Sequence, residues 1–270
     1  MMLLCSALLI ATAVSQDKAP DAPRALPRVL FLTHSAGFMH DVVRREKPEQ
    51  LAFAEARMVE FSKGRFEVDC TQDCARIKAA ELARFDAVMF YTTGELPIPD
   101  AQRKEFIDWL KSGKAFVGVH CATDTLYQYE PYQMIIGGAF DGHPWHEKVR
   151  VTCEDTQHPA TAHLGKSFEI VDEIYQFRNF ERKPLSVLLS LDTSSIDVTK
   201  GKRADKDYAL SWTRKVEKGR LFYTALGHRP EVWQDERFQK HLLGGLDWSI
   251  QESRKAREAK PGEAGPARKD

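Results

Sequence analysis

Histidine is the residue whose placement in this chain carries the most chemistry. Its unperturbed pKa of about 6.5 lets it serve as acid, base or metal ligand near neutral pH. Of the nine histidines, His34 and His40 lie in THSAGFMHD and His120 lies in GVHCATDT with Asp124. His143 and His146 lie in GGAFDGHPWHE, and His228 lies in ALGHRPEVW. The run Asp172-Glu173-Ile174-Tyr175 adds a carboxylate and a phenol. Two chemistries suit this set. In the first, His and Asp/Glu transfer protons on a sugar-like substrate while Trp145, Tyr175 or Trp233 stacks on its apolar face. In the second, two or three histidines with Asp124 or Glu173 hold a divalent metal. The candidate ligands are then His143 and His146, three apart on a turn, joined by His120. No H-x-x-x-H or H-E-x-x-H helix spacing accompanies them. A non-catalytic sugar-binding protein is the alternative; it needs the aromatics and carboxylates but gives the histidines no role.

Cys121 is a third candidate, because a strand-to-helix elbow can expose a strained nucleophile. Here the elbow reads VHCA, without flanking glycines, and His120 takes its apex. Cys121 is therefore expected to be a small, semi-buried neighbour of the site.

Positioning these residues requires strands that end beside one another. Segment 28–33 (RVLFLT) is a continuous apolar run of the kind a parallel strand buried on both faces displays. Segments 66–71, 86–93 and 115–120 read as further strands. Leu51, Ala54, Met58 and Phe61 mark one intervening helix by their spacing. A second starts near Pro99-Asp100, with Phe106, Ile107 and Leu110 on one face and Gly113 past its end. This β-α-β alternation predicts a mostly parallel, doubly wound α/β sheet of flavodoxin-like order. In such sheets ligands bind beyond the carboxyl ends of the strands, where four of the histidine-bearing loops would converge. From 148 onward the pattern changes to strands at 148–154, 168–177, 186–192, 208–214 and 220–225, joined by short turns. If 168–177 is a strand, Glu173 and Tyr175 share one face while Ile174 enters the core. Phe238, Leu242, Leu246 and Ile250 mark a closing helix.

Lys plus Arg and Asp plus Glu are equal at 39 each. A nucleic-acid binder carries a basic excess, so a small neutral substrate fits better. Residues 1–15 resemble a secretory signal peptide: an apolar run from Leu3 to Val14, then a cleavage pattern before Gln16. No other segment could span a membrane. The expected organisation is a leader at 1–15, a disordered lead-in at 16–27, one domain at 28–251 and a charged, disordered tail at 252–270. The location is expected to be secreted or periplasmic. Cys70 and Cys74 could form a local bridge or remain free thiols.

The segments GFMHD, GVHCATDT, GGAFDGHPW, QHPAT followed by DEIYQF, and GRLFYTALGH with a closing LDWSI resemble the trehalose-utilisation ThuA-like family, a branch of the class I glutamine-amidotransferase-like fold. The resemblance runs from about Arg28 to Ile250. It implies a flavodoxin-like sheet and a role in carbohydrate use, of disaccharides or their 3-keto derivatives. By motif match, His40, His120, Asp124, His143, Glu173, Tyr175 and His228 are its site residues. It does not imply glutamine hydrolysis, since the chain has His120 at the elbow. A carbonyl acidifies the adjacent C–H, so a 3-keto-glycoside needs one base and one acid. His120 or His228 is the expected base, with Glu173 orienting a neighbour, Asp124 as a further catalytic carboxylate, and His40, His143 and Tyr175 binding substrate.

Overall fold

The computed structural model describes residues 25–259. The expected leader, the lead-in up to 24 and the tail from 260 lie outside the described residues. Four strands open the fold: β1 (Arg28–Leu32), β2 (Glu67–Thr71), β3 (Ala87–Phe90) and β4 (Ala115–Val119). They are followed by β5 (Ala139–Phe140), β6 (Trp145–Cys153), β7 (Ser167–Ile174) and β8 (Phe177–Arg178). The last three are β9 (Ser186–Leu191), β10 (Ala209–Val216) and β11 (Gly219–Thr224). Nine of them form one sheet in the order β2-β1-β3-β4-β11-β10-β9-β6-β7, and β5 pairs with β8 in a separate ribbon.

The sheet has two halves. β2, β1, β3, β4 and β11 are mutually parallel, an order that matches the flavodoxin-like one with β11 in fifth place. β3 and β4 are buried along their whole length, which is why they read as unbroken apolar runs. Beyond β11 every pairing is antiparallel. There β6 turns Val149 and Val151 inward while Lys148 and Arg150 face solvent, the alternation of a sheet covered on one side.

The principal helices are α1 (Phe53–Phe61), α3 (Asp100–Lys111) and α6 (Glu236–Glu258), with the short α2 (Ala79–Leu82), α4 (Glu130–Ile136) and α5 (Pro230–Gln234) between them. Phe238, Leu242, Leu246 and Ile250 of α6 are buried, and α6 packs on β11 and β4. A Cβ at Gly245 would lie 2.4 Å from the Phe222 ring, so only glycine lets helix and sheet approach this closely. No helix among the described residues is long and apolar enough to cross a membrane.

Two expectations are corrected. The tail does not begin at 252, because α6 continues to Glu258. Its core-facing row runs on through Ser253, which donates to the Lys114 carbonyl, and Arg257, which donates to the Gly113 carbonyl. The strand expected over 168–177 is broken: Gln176 leaves the sheet to exchange backbone hydrogen bonds with the 141–142 segment, and β8 pairs with β5 instead. Cys70 and Cys74 are both unpaired thiols.

Candidate functional site

Neighbouring parallel strands place two histidines side by side. His120 follows β4 with a left-handed backbone, φ 47°, a conformation that costs a non-glycine residue energy and needs support from its surroundings. The support comes from β11: Tyr223 donates its hydroxyl to the His120 carbonyl at 2.7 Å. His120 Nδ1 donates to the Ala225 carbonyl at 2.6 Å. That bond puts the proton on Nδ1 and leaves the Nε2 lone pair facing the site. His228 follows β11, past Gly227 at φ 117°. The Gly227 carbonyl accepts from Tyr91 Oη and Trp233 Nε1, at 3.1 and 2.8 Å.

The carboxylate comes from the opposite end of the sheet. β7 is the outermost antiparallel strand, yet Asp172 accepts from the Gly227 amide at 2.7 Å and the Arg229 amide at 3.3 Å. The antiparallel half therefore curls back over the carboxyl edge of the parallel half. Adjacent strand residues point to opposite sides: Asp172 fixes the His228 loop while Glu173 enters the site. His40 comes from the loop after β1, which bridges to the end of β3 through Ser35 and Thr93. A Cβ at Gly94 would lie 2.7 Å from the Gly37 nitrogen, so this glycine allows the two loops to touch.

One donor atom from each of His40, His120, Glu173 and His228 lies within 4.8 Å of the others. His228 Nδ1 is 3.1 Å from Glu173 Oε2 and 3.3 Å from His120 Nε2, and His120 Nε2 is 3.4 Å from Glu173 Oε2. The His40 ring stands edge-on to those of His120 and His228, with centroids 5.0 and 5.2 Å away. His143 Nδ1 and His146 Nδ1 approach the other carboxylate oxygen at 3.4 and 4.0 Å from the half-exposed rim. Above the cluster opens a cavity of about 290 Å³, lined by Phe38, His40, Asp124, Phe140, His143, Glu173 and Tyr175.

Burial sets the charge states. It pushes His40 down to about 2, and nearby His120 adds to the effect, so this imidazole is neutral. Burial alone would raise the Glu173 carboxyl, but the adjoining His120 and His228 imidazoles hold it well below the ordinary carboxylate range. Burial opposes protonation of His228, and the Glu173 contact overcomes it and shifts this imidazole upward. Burial raises Asp124, against a hydrogen bond from the Tyr127 hydroxyl. Glu173 is thus an anion facing imidazoles, and Asp124 is a carboxyl that takes up a proton more readily than usual.

A family model described as ThuA, trehalose utilisation, matches residues 28–249. The chain belongs to this family. No curated protein matches the sequence. The ThuA-like fold also appears in similar solved structures. A ThuA-like protein from Bacteroides uniformis is 21% identical over 86% of this chain and 95% of its own, with a TM-score of 0.62. One from Parabacteroides merdae is 18% identical over 84% and 90%, with a TM-score of 0.67. A cytoplasmic protein from Salmonella typhimurium is 12% identical over 82% and 99%, with a TM-score of 0.54. Membership of a trehalose-utilisation family supports a carbohydrate-related role for the chain.

Within this ThuA-like chain, His40, His120, Glu173 and His228 come together, with Asp124, His143 and Tyr175 around the cavity. Trp145 and Trp233 do not join them. Both are fully buried; Trp145 donates to the Asp197 carbonyl and packs edge-on to Tyr208, and Trp233 holds the Gly227 carbonyl. Neither presents a face on which a sugar could stack. The expected metal set of His143, His146 and His120 is not what converges either: His143 and His146 lie on the Glu173 side of the rim, outside the close group. Cys121 is fully buried and its thiol is raised well above the usual range by burial, so it is no thiolate nucleophile. Phe38, 65% exposed, Phe140 and the clamping role of Asp172 went unread in the sequence. The phenylalanines sit inside the histidine motifs GFMHD and GGAFDGH, and that adjacency was the available signal.

Proposed function

We propose that the chain is an exported enzyme of carbohydrate utilisation that acts on a neutral sugar or 3-keto-glycoside. The observation that carries this reading is the convergence of three imidazoles from three loops and one carboxylate from β7 beneath a small cavity walled by aromatic rings. A volume of about 290 Å³ is at the small end of ligand pockets, roughly 300–1,000 Å³, as a single sugar ring requires. Phe38 and Phe140, the latter backed by the buried Tyr175 ring, supply apolar surface for the C–H face of a pyranose, while Asp124 and His143 offer hydrogen bonds to its hydroxyls. Next to a carbonyl, His120 or His228 takes the proton from the acidified carbon, with Glu173 orienting the imidazole. Isomerisation and elimination begin with such a transfer, and elimination of the glycosidic oxygen followed by addition of water amounts to hydrolysis of a 3-keto-glycoside.

Export rests on the apolar run from Leu3 to Val14. Amino-terminal sequencing of the mature protein should begin near Gln16, and a mature protein starting at Met1 would count against export. Turnover is tested by screening 3-keto-sugars and their parent glycosides against the native chain and the His120→Ala and His228→Ala variants. Loss of turnover in both variants supports the reading. Full turnover in both sinks the assigned roles, and saturable binding without turnover of any sugar makes the chain a binding protein.

A further inference from the structure

We propose that His40, His120, His228 and Glu173 bind one divalent first-row transition ion, with zinc the occupant their spacing fits. The proposal deepens the reading of this cavity as a sugar site and rests on it only for the ion's role in turnover.

Three observations carry it, and the first is a triangle. His228 Nδ1, His120 Nε2 and Glu173 Oε2 are separated by 3.1, 3.3 and 3.4 Å. The centre of such a triangle is about 1.9 Å from each corner, so an ion at ordinary Zn–N and Zn–O distances, about 2.0–2.1 Å, sits just out of its plane. The second is the ring arrangement. The centroids of His40, His120 and His228 are 5.0, 5.2 and 5.2 Å apart. Three imidazoles bound tetrahedrally place their centroids about 3.2 Å from the ion and hence about 5.2 Å from one another. The third is an unmet electrostatic demand. The His120 Nδ1 proton is committed to the Ala225 carbonyl, so in the neutral ring the Nε2 lone pair confronts a carboxylate oxygen. His40 is 3% exposed and its Nδ1 is buried without a hydrogen-bond partner. A cation between the His120 lone pair and the Glu173 carboxylate meets that demand and is within reach of the His40 ring, and the His120–Ala225 bond is the outer contact that orients a metal-binding imidazole.

His40 and Glu173 also line the cavity, so the ion is reached from the sugar side. A hydroxyl or carbonyl oxygen of the substrate can then join its shell and be polarised there. With the ion bound, His120 and His228 are its ligands instead of the base they supply in its absence, and proton transfer passes to Asp124 or His143, which lie on the cavity wall outside the ligand set.

The test uses the full chain, dialysed free of metal and titrated with zinc and with cobalt. The expected result is about one equivalent per chain, a higher melting temperature with zinc, and visible d–d bands with cobalt. Glu173→Gln and His228→Gln, checked for folding by circular dichroism, should weaken cobalt binding by at least about tenfold. His143→Ala and His146→Ala should leave the stoichiometry at one. A folded native chain that takes up neither ion, or undiminished cobalt binding in both ligand variants, overturns the proposal. Sugar turnover that persists in the metal-free protein overturns the ion's role in turnover while leaving the sugar reading intact. Stoichiometric metal with no sugar bound or turned over supports the metal site and removes the sugar reading.

Discussion

The two halves of the sheet contribute to the site in different ways. The parallel half supplies three imidazoles, from the loops after β1, β4 and β11, and holds them with backbone contacts between adjacent strands. The antiparallel half supplies one carboxylate and a clamp, and does so only because β7 curls back until Asp172 meets the Gly227 loop. The first contribution follows from strand adjacency. The second depends on long-range curvature, so it can be broken separately.

The largest effects should come from cutting one member out of each half. His120→Ala should lower kcat/KM on a competent sugar by about 10²–10⁴-fold, the range for a positioned proton-transfer group, and Glu173→Ala, which leaves the imidazoles unoriented, by about 10²-fold. The double variant should be no worse than the poorer single, because groups acting as a unit are not additive. Losses that multiply would show that the halves work independently. Next is the clamp. Asp172 is fully buried, and Asp172→Ala strands the Gly227 and Arg229 amides; denaturant unfolding should show a loss of about 1–3 kcal/mol. Turnover should fall by up to about 100-fold as His228 drifts. Unchanged turnover would mean that the parallel half alone positions His228. Smaller effects are expected at the rim. Phe38→Ala should raise KM by about 2- to 10-fold, the worth of one aromatic contact, with kcat little changed. The smallest effect on activity is expected at Trp145. Trp145→Phe should cost about 1–3 kcal/mol through a lost hydrogen bond and a small cavity, yet leave KM for the sugar where it was. A raised KM there would return Trp145 to the binding surface.

The sequence was legible where local pattern and long-range consequence coincide. Val29 to Leu32 and Phe116 to Val119 are apolar without interruption because both faces of those strands are buried. The doubly wound order followed, and with it the edge on which His40, His120 and His228 had to lie. Alternation along the expected strand 168–177 also put Glu173 and Tyr175 on one face, and both line the cavity although β7 ends at Ile174. What alternation cannot show is which way a sheet bends, so the meeting of Asp172 with Gly227 was not legible. The tryptophans were misread for a related reason. An indole close in sequence to a histidine looks the same whether it faces a ligand or the core, and the partners of Trp145 and Trp233 are remote or formed by backbone. The tail was read as disordered from its charge. Ser249, Ser253 and Arg257, four apart, carried the helical face a further turn and more, with polar atoms where apolar ones were sought.

The position of β11 has a consequence for how the molecule is made. The last strand among the described residues lies in the middle of the sheet, between β4 and β10. Until Gly219–Thr224 leaves the ribosome, β4 presents an unpaired, wholly apolar edge, the kind of surface that invites pairing with another chain. The nascent chain must carry that edge through the synthesis of about a hundred residues, and a product truncated before β11 would keep it. Such a product would also lack His228, so insolubility and an incomplete site would arise from the same missing strand.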